Sequence, residues 1–322
     1  MAREHLRWLT KHPGVGRTVL WGRNEKALAE LSRRHKNTAY YTDFERMLAE
    51  EELLAVNVCL PPHLRRDYVV EALRHKCHVL CEKPVALSIE DALVMAKEAR
   101  RNDRFVMVGY TLRFLPEIVR LKSIIDSGAI GQVKTVLFRS GRPFRRVEWF
   151  NDPEKSLGVF GELGIHGIDL ARYLIDDTIE EVKSEVIRSV PGRRVDDNGI
   201  ALLRFREGAI ASIACSFSYP FFENELVVIG TKKAARVTRG KVFVEENQTE
   251  RSLRKMFVGS VLEGLYVPIR SVIFSPYKRE LAYFLDCALN GKSPACDIAY
   301  DLHTLRACLA IAKQGESVES GS

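Results

Sequence analysis

Two short stretches combine residue types able to polarise an oxygen or move a proton. The first is Cys81-Glu82-Lys83-Pro84. The run His78-Val79-Leu80-Cys81 reads as a buried strand. The lysine therefore falls at a strand carboxyl end, where doubly wound folds bind their ligands. The proline keeps the strand from running on. A surface pair of Glu82 and Lys83 in a loop is the plain alternative. The second stretch is Gly158-Val159-Phe160-Gly161-Glu162-Leu163-Gly164-Ile165-His166-Gly167-Ile168-Asp169. Its glycines let backbone approach a ligand closely. A carboxylate four residues before an imidazole shares a helix face with it, provided that the helix starts early enough. Such a pair fixes the imidazole tautomer and raises its basicity, which suits a general base near neutral pH. A histidine that caps or packs is the plain alternative here. Asp169 reads as a local hydrogen-bonding partner.

Up to residue 115, short strands alternate with helices. Strands are predicted at 18–21, 39–41, 54–59, 78–81 and 105–109. Helices are predicted at 3–11, 25–35, 44–50, 65–74 and 89–101, with Asp43 and Ser88 placed as N-caps. That alternation predicts right-handed βαβ units on a parallel sheet. After residue 130 strands dominate, at 133–139, 182–190, 200–205, 209–217 and 226–229. Arg206-Glu207-Gly208 marks a hairpin turn, and helices are expected at 168–174, 277–290 and 300–313. Residues 251–268 read as a long excursion and 315–322 as a polar tail. The fold class is thus α/β, a Rossmann doubly wound sheet over 1–115. An α+β domain with a large, mostly antiparallel open sheet follows over 116–322, its last helices packing back on the first domain.

The 322 residues carry a net charge of +7, and 46% are hydrophobic, enough for two cores. Lysine and arginine are spread along the chain without a nucleic-acid-binding motif, so anionic small ligands suit the charge better than nucleic acid. Arg139, Arg142, Arg145 and Arg146 precede Trp149 and read as a solvated basic loop rather than as a site for an anionic substrate. Seven cysteines without CxxC spacing argue against a disulfide framework and a zinc site, so no metal is expected. No secretory leader or membrane span is visible, which points to the cytoplasm.

Four segments in register resemble one family: Cys81-Glu82-Lys83-Pro84, Gly109-Tyr110-Thr111-Leu112-Arg113-Phe114 with Pro116, Ser127-Gly128-Ala129-Ile130-Gly131, and Glu162-x-Gly-x-His166-x-x-Asp169. Together they resemble the Gfo/Idh/MocA oxidoreductases over nearly the whole chain. The resemblance implies a nicotinamide-dependent enzyme acting on a secondary alcohol or carbonyl of a sugar, cyclitol or related small molecule. It implies that Lys83, beside the nicotinamide, holds the reacting oxygen, while His166 takes or gives its proton from across the same pocket. Glu162 stands where the family usually has aspartate and would orient His166. Tyr110 and Arg113 would line the substrate cleft. Leu60-Pro61-Pro62 matches a loop under the cofactor, although Leu60 cannot donate a hydroxyl hydrogen bond there. Glu82 belongs to the same cofactor-side segment. The open sheet implies a homo-dimer or homo-tetramer.

A dinucleotide fold should open with an apolar strand and G-x-G-x-x-G/A leading into a helix. Here Ala2 aligns with the last small residue of that fingerprint. Gly14 and Gly16 follow a helix and precede the second strand, the wrong context for a substitute. The expected consequences are weak pyrophosphate binding and a gap between interior strands of the sheet. At the ribose end, Gly22-Arg23-Asn24 replaces the acidic residue that selects NAD; an arginine there suits a 2′-phosphate, predicting NADP over NAD. A non-catalytic binding or assembly protein on the same fold is the alternative.

Overall fold

A computed structural model describes residues 1–144, 147–238, 240–245 and 275–312. The predicted excursion at 251–268 and the tail at 315–322 lie outside these residues. The chain divides into two compact units. The first opens with helix α1 (Ala2–Leu9) and alternates β1 (Thr18–Trp21), α2 (Glu25–Arg34), β2 (Thr38–Tyr41), α3 (Phe44–Glu50), β3 (Ala55–Val58), α4 (Arg65–Arg74), β4 (His78–Glu82), α5 (Ile89–Arg101) and β5 (Val106–Gly109). Side chains start the helices where the sequence predicts. Asn24 accepts from the Ala27 amide at 3.0 Å, Asp43 from Arg46 at 3.0 Å and Ser88 from Asp91 at 3.1 Å. Each satisfies an amide that the helix leaves open.

These strands form two parallel sheets rather than one. β1 pairs with β2, and β3-β4-β5 forms the other. Among the described residues no ladder joins β1 to β3, so each keeps one edge unpaired. The six-strand plan 3-2-1-4-5-6 has its first strand at that place, and the predicted interruption is observed. β4 is fully buried and β5 likewise, the signature of a strand covered on both faces.

The second unit contains α6 (Pro116–Asp126), β6 (Val133–Pro143), a π-helical turn (Phe160–Gly164) running into α7 (Ile165–Ile175), and β7 (Ile179–Ile187), β8 (Asn198–Phe205), β9 (Ile210–Ser216), β10 (Ser218–Gly230), β11 (Ala234–Thr238) and β12 (Lys241–Glu245). Its seven-stranded sheet has the order β12-β11-β10-β6-β9-β8-β7. All neighbours are antiparallel except β6 and β9. β10 is far longer than the predicted 226–229, because its partner β6 supplies a ladder that local propensity does not reveal. β8 alternates strictly between buried and exposed positions. One face of the sheet receives α7, and Gly167 permits the close approach: an added Cβ would collide with Phe138 and lie 2.9 Å from Ile213. The other face leaves Leu137, Ile200, Leu202 and Ile210 exposed.

Two later helices, α8 (Pro276–Asn290) and α9 (Ile298–Ala312), follow, and α8 with α9 as far as Arg306 belongs to the first unit. α8 packs on α1, with the rings of Tyr277 and His5 5.5 Å apart. Among the described residues no helix is long and apolar enough to cross a membrane.

Candidate active site

In the first unit Lys83 directly follows β4 and is half-buried, and its peptide bond to Pro84 is cis. The backbone on both sides of it is held by Arg65, the buried first residue of α4. The guanidinium donates from Nη1 to the Glu82 carbonyl at 2.5 Å and to the Pro84 carbonyl, and from Nε to the Leu60 carbonyl at 2.7 Å. One side chain thus ties the Leu60-Pro61 loop to the Lys83 turn. The planar guanidinium fork suits such convergent carbonyls. Sequence reasoning missed Arg65, which reads there only as the start of a helix; its carbonyl partners as far as Pro84 leave no local signal.

Leu60 and Pro61 are half-buried just after β3. Gly22, Arg23 and Asn24 follow β1 at its carboxyl end. Arg23 is exposed, and Asn24 is committed to capping α2. The residues expected at the ribose and nicotinamide ends of a dinucleotide therefore all lie at carboxyl ends of parallel strands. Arg23 has no ion-pair partner among the described residues. The chain thus fits those two parts of the cofactor, while the glycine fingerprint for the pyrophosphate is not in the sequence.

Glu82 ends β4 and is buried, and its Oε1 lies 3.5 Å from Nε2 of His5. Burial lowers the His5 pKa, against the pull of Glu82. Tyr110 is fully buried and donates its hydroxyl to Asp301. Thr111 donates to the carboxylate of Glu280, a residue with no exposed surface. Burial, then the charge of Glu82, raises the Glu280 pKa well above the usual carboxylate range.

In the second unit His166 sits in the first turn of α7 and is half-buried, with Glu162 in the π-helical turn just before it. The helical run therefore starts earlier than the predicted residue 168. Glu162 accepts from Arg142 at 2.7 Å, a partner that the sequence reading did not foresee. Arg142 is itself buried and lies over the rings of Phe150 and Phe217. It is not part of a solvated basic loop, unlike Arg139, which is exposed and pairs with Glu223 and Glu225. Arg113 is buried and grips Asp169 with two hydrogen bonds, Nε to Oδ2 at 2.8 Å and Nη2 to Oδ1 at 2.5 Å. Burial raises the Asp169 pKa, and Arg113 opposes that shift. Tyr110 and Arg113, expected to line a substrate cleft, each bind a buried acid of their own unit. Each combines a large side chain with a buried acid far away in sequence, which a motif alone does not disclose.

The comparisons with known proteins agree with this architecture. Residues 1–110 match "Oxidoreductase family, NAD-binding Rossmann fold", and residues 118–236 match "GFO/IDH/MocA C-terminal domain". The chain is 26% identical to myo-inositol 2-dehydrogenase of Thermotoga maritima over 285 residues, 84% of this chain and 80% of that protein. It is 24% identical to levoglucosan dehydrogenase of Pseudarthrobacter phenanthrenivorans, over 61% of this chain and 58% of that one. Among solved structures, the WlbA dehydrogenase of Bordetella pertussis, in complex with NADH and UDP-GlcNAcA, superposes with a TM-score of 0.84 at 20% identity, covering 99% of this chain and 95% of that one. The chain belongs to the Gfo/Idh/MocA oxidoreductases, with their NAD-binding Rossmann domain and their C-terminal domain.

Proposed function

We propose that the protein transfers hydride between a nicotinamide cofactor and a secondary alcohol or carbonyl of a sugar, cyclitol or related small molecule. The observation that carries this reading is the Lys83 turn, a half-buried lysine at the carboxyl end of a buried parallel strand, clamped on both sides by Arg65. Gly22, Arg23, Asn24, Leu60, Pro61 and the Glu82-Lys83 segment would hold the cofactor, which supplies the hydride acceptor or donor. Lys83 holds and polarises the reacting oxygen. His166 takes the hydroxyl proton in oxidation and returns it in reduction, with Glu162 setting its orientation. NADP is the preferred cofactor, because Arg23 stands where an acidic residue would select NAD. The exposed apolar positions Leu137, Ile200, Leu202 and Ile210 support assembly into a homo-dimer or homo-tetramer through the open sheet. Seven cysteines outside any disulfide support a cytoplasmic setting.

The test is a panel of sugars and cyclitols assayed with NAD and NADP. Lys83→Met should lower turnover by about 100-fold or more while cofactor affinity changes little, the scale of losing a positioned polar group from the transition state. Unchanged turnover would remove Lys83 from the mechanism, and tighter binding of NADH than of NADPH would overturn the cofactor preference. A binding or assembly protein on this fold is the alternative that the same assay separates. Trp21 adjoins Gly22 and reports binding there: no change in its fluorescence with either dinucleotide, and no turnover, would support that reading.

A further inference from the structure

One group of side chains meets the proposed cofactor segment only at Glu82, and two of its buried polar atoms have no hydrogen-bond partner among the described residues. His5 of α1 and Glu82 of β4 are 1% and 5% exposed. Their facing atoms, Nε2 and Oε1, are 3.5 Å apart, beyond a good hydrogen bond, and neither has a hydrogen-bond partner among the described residues. Cys59, just past β3, brings its Sγ to 3.6 Å from Nδ1 of the same ring. One ligand atom from each of the three lies within 4.8 Å of the others. Glu280 is buried as well, and its pKa is raised partly by Glu82. Among the described residues no lysine or arginine side chain pairs with either carboxylate; the nearby Arg65 spends its guanidinium on backbone carbonyls. The cluster is therefore short of a cation, a costly state for buried acids.

We propose that His5, Cys59 and Glu82 form a binding site for a divalent cation of borderline softness, best matched by Zn²⁺. Nitrogen, sulfur and carboxylate oxygen are the donors that this ion prefers. A thiolate and a carboxylate supply two negative charges against its two positive ones, and the imidazole enters neutral, the form that burial favours. Tetrahedral ligands at about 2.0–2.1 Å from an ion sit roughly 3.3–3.4 Å apart, close to the observed His5–Glu82 separation. The thiol, within 4.8 Å of the other two ligand atoms, closes on the ion by a χ1 rotation. Cys59 is half-buried, which gives the ion a way in, and water completes the fourth position. Asn57 supplies the outer support: its amide lies 2.6 Å from Nδ1. Metal at Nε2 leaves the ring proton on Nδ1, and the amide turns its oxygen to accept it. The thiol proton is released to solvent on binding, so affinity rises with pH.

This site shares Glu82 with the proposed cofactor segment, and its test needs no turnover, so the two readings fail separately. The chelator-stripped full chain is titrated with Co²⁺ and then with Zn²⁺. One equivalent of Co²⁺ should give visible bands of a tetrahedral ion and a near-ultraviolet thiolate band, both abolished by Zn²⁺. Cys59→Ser should remove the thiolate band and weaken binding about tenfold or more, and His5→Gln about 100-fold, the usual scale for disturbed metal shells. Cys77→Ser, at a buried thiol outside the cluster, should change neither. If a His5 variant fails to fold, Cys59→Ala, which trims a half-buried thiol, carries the test. Absence of stoichiometric binding at micromolar metal overturns the proposal. So does binding that survives both Cys59→Ser and His5→Gln unchanged; the His5–Glu82 pair is then a hydrogen-bonded contact only.

Discussion

Each unit buries an acid, and the two solve the resulting problem in opposite ways. In the second, Asp169 meets Arg113 in a two-pronged contact that balances its charge. In the first, Glu82 and Glu280 face one imidazole and a threonine hydroxyl, with more acid than base. A balanced pair fixes one arrangement of its two groups. An unbalanced cluster must hold a proton, attract a cation or destabilise the fold, so it stays responsive to its surroundings.

The largest expected effect comes from unbalancing the balanced pair. Asp169→Ala removes the carboxylate that balances a buried guanidinium and should destabilise the second unit by about 3–5 kcal/mol, seen as a loss of cooperative unfolding at moderate urea. A change under 1 kcal/mol would mean that Arg113 is solvated and that the contrast fails. Next, Arg65→Met strips three carbonyls of a charged donor in the first unit. It should cost about 2–4 kcal/mol and, if the Lys83 turn is the reacting centre, lower turnover more than it alters the unfolding midpoint.

A smaller effect, but a directional one, belongs to Glu280. Its carboxyl has a higher pKa in the folded chain than the unperturbed 4.5, so the folded state binds the proton more tightly. Between those two values stability falls as pH rises, because the unfolded chain gives up its proton first. Glu280→Gln should therefore raise the melting temperature at pH 8 more than at pH 5; a gain that does not depend on pH would refute the sign. The smallest effect is at the open sheet. Leu202→Lys should alter monomer stability by no more than about 0.5 kcal/mol yet shift the sedimentation of any assembly toward smaller species. An unchanged sedimentation profile would remove that face from the interface.

The βαβ rhythm, the capping residues Asp43 and Ser88, the position of Lys83 after a buried strand and the interruption between β1 and β3 were all legible in the residues. Each depends on neighbours a few positions apart, where period and cap chemistry act. The full extent of β10 and the strands β11 and β12 were not, since their ladders depend on partners elsewhere in the sheet. The site divides in the same way. Glu162 and His166 were visible from spacing and resemblance, while Arg65, Asn57 and Glu280 matter through groups that the fold alone brings near. Tyr110 and Arg113 show the converse: a motif located them, and only the fold shows that buried acids hold their polar atoms.

The first unit is assembled from pieces that the ribosome makes far apart in time, because α8 must lie against α1. Translation completes residues 1–111 well before α8 leaves the exit tunnel, and until then the part of α1 that meets Tyr277 lacks its helix cover. Nascent chains should thus expose that surface to chaperones for the synthesis of more than half the polypeptide. A protease pulse during translation ought to cut within α1 until the last helices emerge, and spare it afterwards.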